Sequence, residues 1–98
     1  MKGNKLERAL RIDDIERRKR FCQRLINRTR RAVIKGRSFG DEDARESLKL
    51  AYEGMLRAFG RELRGGGYLS KSVARQLELN SNAIRAEASS VRRIATTL

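Results

Sequence analysis

No proline interrupts any of the 98 residues, and the apolar side chains recur at spacings of three and four along most of the chain. Proline fixes φ and lacks the N–H that an inner helical turn needs, so a chain without it can carry long helices. Recurrence at three and four is the period of an α-helix with one apolar face; a strand alternates every two residues. Glycine is left to divide the chain, and glycine-containing breaks fall at residues 36–40 and 65–67.

The apolar positions then place three helices. In the first stretch Leu6, Leu10, Ile15, Cys22, Leu25 or Ile26, and Val33 share one stripe, which predicts a helix over roughly 4–35 that ends at Lys35-Gly36 with glycine as a left-handed C-cap. Asp13 and Glu16, preceded by Ile12, have the spacing of a capping box, so the helix can restart there and leave residues 2–12 as an arm. Ser38-Phe39-Gly40 reads as a loop. Asp41, Glu42 and Asp43 follow, carboxylates where a helix N-terminus carries partial positive charge. The second helix, over roughly 41–64, carries Ala44, Leu48, Ala51 or Tyr52, Met55, Phe59 and Leu63 on its apolar face. Gly65-Gly66-Gly67 stops it, and Ser70 suits the N-cap of a third helix over roughly 70–97, with Val73, Leu77, Asn80, Ile84, Ala88, Val91, Ala95 and Leu98 in phase. Short connections force neighbouring helices to alternate in direction. The expected fold is therefore all-α: one domain over residues 1–98, an antiparallel three-helix bundle with a long basic N-terminal helix. At roughly 25 cal/mol per Å² its thin apolar seam barely offsets the entropy of ordering the chain.

Charge is distributed unevenly. The whole chain is +12, from 24 Lys and Arg against 12 Asp and Glu, but residues 1–37 hold 14 basic and 4 acidic residues. Residues 38–65 hold 5 and 6, and residues 66–98 hold 5 and 2. From Arg17 to Arg37 there are ten cations and no carboxylate. Like charges at helical spacing repel, so a polyanion would hold this segment more easily than water does. Arginine outnumbers lysine by 18 to 6, and its planar fork matches phosphate oxygens in a bidentate way. The pattern points to binding of nucleic-acid phosphates.

Other classes lack their residues. Histidine is absent and Cys22 is alone, so neither an intramolecular disulfide nor an ordinary Cys/His zinc site can form, and a reducing compartment is expected. The Asp41–Asp43 triplet points to different faces of a helix and reads as capping, not as a metal site. No cofactor is expected. With no base for Cys22 and no paired carboxylates, an enzyme acting on a small-molecule substrate is not expected either. The triple glycine lacks the strand and the Gly-Lys-Ser/Thr ending of a phosphate loop. No run approaches the roughly 20 apolar residues of a membrane helix. Glu7, Asp13, Asp14 and Glu16 make the N-terminus unlike an acid-poor transit peptide, so Met1 is expected at or near the start of the folded protein.

Two stretches resemble a known family. Ile15-Glu16-Arg17-Arg18-Lys19-Arg20, then Asn27-Arg28-Thr29-Arg30-Arg31-Ala32-Val33-Ile34-Lys35, is similar to the N-terminal pattern of the bacterial-type small-subunit ribosomal protein S-twenty family. Gly67-Tyr68-Leu69-Ser70-Lys71-Ser72-Val73-Ala74-Arg75 resembles its Gly-x-Ile-His-Lys-Asn-x-Ala-Ala-Arg turn into the third helix; Ser70 replaces the histidine and Ser72 the asparagine. The resemblance covers roughly residues 4–85. It implies a structural, RNA-binding constituent of the small ribosomal subunit that serves translation. Small-subunit rRNA would be its partner, with ribosomal proteins as neighbours. Carried over by position, the RNA-binding residues are Arg17, Arg18, Arg20, Arg24, Arg28, Arg31, Lys35 and Lys71. Downstream the family is basic where this chain has Gln76, Leu77 and Glu78, so the implied contact does not extend to Glu78. The departures favour an organellar ribosome, mitochondrial or plastid, over a bacterial one.

Two other readings use the third helix. Residues 72–88 have the spacing of a helix-turn-helix DNA-binding regulator, although Glu78 stands where a turn glycine is usual and the apolar stripe keeps its phase. Leu77, Ile84, Val91 and Leu98 form a heptad series that an adaptor would bury against another protein, a picture with no use for the Arg17–Arg37 run.

Overall fold

The computed structural model describes residues 15–64 and 70–97, and among these it contains three helices and no strand: α1 Ile15–Phe39, α2 Glu42–Arg64 and α3 Lys71–Thr97. The N-terminal part of the first helix, the capping box at Asp13 and the Gly65–Gly67 turn lie outside the described residues. Both expected N-caps are present. The Ala44 N–H donates to Asp41 Oδ1 at 2.9 Å, and the Val73 N–H donates to the Ser70 hydroxyl at 3.1 Å. Each satisfies one of the donors that a helix start leaves without an intrahelical acceptor.

The end of α1 differs from expectation. Gly36 is helical and buried, and α1 continues through Ser38 and Phe39 to a bend at Gly40, whose N–H reaches the Gly36 carbonyl at 3.1 Å. Gly36 is needed for space: a Cβ there would lie 3.0 Å from Ala88 Cβ and 3.0 Å from Leu48 Cδ1. All three helices meet at this point. The connection to α2 is thus two residues, Gly40 and Asp41.

Packing follows the up-down-up order. α1 and α3 run parallel and share the most extensive interface, with α2 antiparallel to both. The core joins Phe21, Cys22, Leu25, Ile26 and Val33 of α1 to Leu48, Met55 and Phe59 of α2 and Ala74, Leu77, Ile84 and Ala88 of α3. Asn80, expected inside, is exposed, and Ser81 is fully buried in its place. The swap is possible because Ser81 finds a partner in Thr29, itself 0% exposed, at 2.7 Å. The Thr29 hydroxyl donates to the Leu25 carbonyl at 2.7 Å, so its lone pairs receive the Ser81 proton, and Ser81 Oγ accepts from Arg85 Nε at 3.1 Å. Every polar atom in this relay has a partner, which is what makes its burial tolerable.

α3 is unbroken through Glu78, where a helix-turn-helix would place its turn. Leu77 and Ile84 are spent on the bundle's own core, which leaves an external partner only the distal part of the heptad series, with Leu98 outside the described residues.

Candidate nucleic-acid interface

Six of the cations on α1 fall at spacings of three and four: Arg17, Arg20, Arg24, Arg28, Arg31 and Lys35. At 3.6 residues per turn these positions form one stripe, roughly 80° wide and about 27 Å long. All six are exposed. The stripe lies away from Leu25, Thr29 and Gly36, the middle of the buried face of α1.

The direction of the stripe follows from the contacts of α1. Thr29 meets Ser81 and Gly36 meets Ala88, so the parallel helices α1 and α3 lie side by side in constant register. On its other flank α1 faces α2, where Arg30, Val33 and Arg37 stand beside Lys49, Tyr52 and Leu56. The cation stripe is therefore on the side of α1 remote from α2. On α3 the flank toward α2 is marked by Glu87, whose carboxylate accepts from the Ser47 hydroxyl at 2.9 Å. The flank of α3 turned away from α2 carries Lys71, Arg75, Asn82, Ser89 and Arg93, all exposed. These positions recur at intervals that return to one line of the helix, Arg75 and Arg93 being five full turns apart.

The two helices thus present one continuous outer face with nine cations in two parallel rows. Adjacent packed helices stand about 8–10 Å apart, which sets the separation of the rows. Among the described residues the acids near this face are Glu16 at its N-terminal edge and Glu78, half-buried in the α1–α3 seam. Asn82 and Ser89 add neutral donors between the charges. Such a surface suits phosphate oxygens along a backbone, contacts that position a nucleic acid without reading its bases.

Seven of the eight residues implied by the resemblance lie on this face. Arg18 does not: it is only 1% exposed, packed in the α1–α3 seam near Cys22 and Glu78. One residue along a helix is a rotation of about 100°, enough to carry a side chain from the stripe at Arg17 into the core. Arg75 and Arg93 belong to the face but were not among the expected contacts. The five-turn interval between them was readable in the chain, but its alignment with the α1 stripe depends on tertiary register.

Burial pushes the Cys22 thiol up to about 11, with Glu78 adding to the rise and Arg18 opposing it, so the sulfur stays protonated. Among the described residues no group of three or more His, Cys, Asp or Glu could hold a metal ion, and no helix is long and apolar enough to cross a membrane. The chain matches no family model, no curated protein and no solved structure.

Proposed function

We propose that the protein is a structural RNA-binding constituent of the small ribosomal subunit, of the S-twenty kind, that docks small-subunit rRNA on the outer face of α1 and α3. One observation carries the reading: nine exposed cations of two parallel helices share that face. The second helix, nearly neutral, backs the two-helix layer behind that face. Ribosomal proteins would be neighbours, and an organellar ribosome is the setting that the replacement of the family's histidine by Ser70 favours. The protein would act by position, tying RNA segments into place through phosphates, with no catalytic step.

The test is the salt dependence of binding to a structured small-subunit rRNA fragment, paired with lysate sedimentation. A protein that neutralises six or more phosphates loses roughly 10³-fold in affinity between about 50 and 200 mM salt. Arg24→Glu with Arg28→Glu should weaken binding to every RNA and lower the log–log slope by about one per cation removed. Arg57→Glu with Arg61→Glu, on exposed positions of α2, should leave both nearly unchanged. A slope near zero, equal effects of the two pairs, or sedimentation free of the small subunit at low salt would overturn the proposal.

A further inference from the structure

Arg30 and Arg37, two cations of α1 absent from the outer face, belong to a second place. Between α1 and α2 lies a cleft of about 310 Å³ that Arg30, Arg37 and Lys49 help to line. The ring of Tyr52 and the side chains of Val33, Ile34 and Leu56 line it, and Glu53 is its single acid. Arg37 holds its Nε out of solvent with no hydrogen-bond partner, so its guanidinium is not tied to a neighbouring acceptor through that nitrogen. Ile34 stands 60% exposed at the lip, an apolar side chain that none of the described residues covers. A second groove shares Ile34 and Arg37 with the first and adds Arg45, so positive charge continues beyond the cleft as a backbone entering it would require.

We propose that this cleft receives a single unstacked nucleotide of the bound RNA, with the base against Tyr52 and Ile34 and the phosphate on Arg30, Arg37 and Lys49. The inference rests on the RNA-binding reading above but concerns a different surface. Three features select this ligand. The volume is at the small end of ligand pockets, enough for one base and its phosphate and too little for two. An inorganic phosphate would use the cations and waste the aromatic and aliphatic walls, whereas a splayed-out base stacks on aromatic side chains in the usual manner of RNA recognition. Glu53 can accept from an exocyclic amino group, which cytosine, adenine and guanine carry and uracil lacks. Burial raises the Tyr52 hydroxyl from its ordinary value and the Arg30 guanidinium opposes the rise, so the phenol stays neutral.

The experiment compares two RNA duplexes, one fully paired and one with a single cytidine bulge, by fluorescence anisotropy on the full chain, with cytidine monophosphate as a competitor. The bulged duplex should bind about tenfold more tightly, the size of one base–aromatic stack. Tyr52→Ala and, independently, the exposed-site variant Lys49→Glu should abolish that gain with paired-duplex affinity reduced far less, while Tyr52→Phe keeps it; circular dichroism checks that each variant folds. Equal affinity of the wild type for the two duplexes, or a gain that survives both variants, overturns the proposal. Competition by free cytidine monophosphate without any bulge preference also overturns it, by assigning the cleft to a free nucleotide. Salt-dependent binding to both duplexes without the gain removes this inference alone; failure to bind either removes the RNA-binding reading with it.

Discussion

Gly36→Ala should destabilise the protein although alanine is the better helix former, and Gly54→Ala should stabilise it. Both glycines lie inside helices, so replacement contributes the same intrinsic gain of about 1 kcal/mol at each. Their surroundings differ. At Gly54 a new Cβ meets nothing closer than Arg57 Nη2 at 3.9 Å, the end of a flexible side chain. At Gly36 it meets Ala88 Cβ at 3.0 Å, Leu48 Cδ1 at 3.0 Å and Ala88 Cα at 3.2 Å. Leu48 is 0% exposed and has little room to swing, and the Ala88 atoms can retreat only if α3 moves. Forcing one carbon into a packed seam costs about 1–3 kcal/mol. Because the propensity gain cancels between the two variants, the difference in their stabilities isolates this packing cost and should itself be about 1–3 kcal/mol. Urea denaturation followed by helical circular dichroism measures it. A difference below about 0.5 kcal/mol, or a Gly36→Ala protein as stable as Gly54→Ala, would refute the view that Gly36 is kept for helix approach. The same variant should weaken RNA binding, since pushing α1 from α3 separates the two rows of cations.

Two other outcomes follow from the buried polar groups. Thr29→Val leaves the Ser81 hydroxyl without its acceptor and the Leu25 carbonyl without its side-chain donor, at a cost of about 1–3 kcal/mol by denaturant midpoint; the double variant Thr29→Val with Ser81→Ala should recover part of the loss. The Cys22 thiol is held at about 11 when folded against an ordinary value of 9.0, so it loses its proton more readily in the unfolded chain. Its stabilising contribution is therefore intact below pH 9 and is lost as pH climbs from 9 toward 11, by up to about 2–3 kcal/mol. Unfolding at pH 8 and pH 10.5 for wild type and Cys22→Ala should show the steeper decline in the wild type; parallel declines would sink the assignment.

Local physics was legible in the chain and tertiary register was not. Asp41 and Ser70 could be recognised as caps because a cap needs only a short polar side chain three residues before a backbone N–H. The stripe from Leu48 to Leu63 and the cation stripe from Arg17 to Lys35 were equally visible, since helical period alone makes a face. Gly36 reads as a helix end in the sequence because glycine serves both helix ends and close helix contacts, and only the position of Ala88, 52 residues away, distinguishes them. Arg18 sits in a run of four cations in which nothing in composition says which one is turned inward. Arg93 had no motif around it; it joins the interface only because Thr29 and Ser81 bring α1 and α3 together in parallel.

That parallel seam also explains how so basic a helix folds at all. Each i, i+3 or i, i+4 step between like charges costs an exposed helix about 0.2–0.5 kcal/mol, and the stripe from Arg17 to Lys35 contains five such steps in succession. Repulsion between the two rows adds less, because the rows stand about a Debye length or more apart at physiological salt and are partly screened from each other. The opposing contribution comes from a wide buried face on α1, with Phe21, Cys22, Leu25, Ile26, Thr29, Val33 and Gly36 all inside. A helix that repels itself on one side is held by dense contacts on the other. A polyanion on the outer face would remove the repulsive share and leave the packing untouched. Binding energy and folding energy would then be linked through the same six side chains of α1: the charges that repel one another in the free bundle are those that a phosphate backbone would turn to advantage.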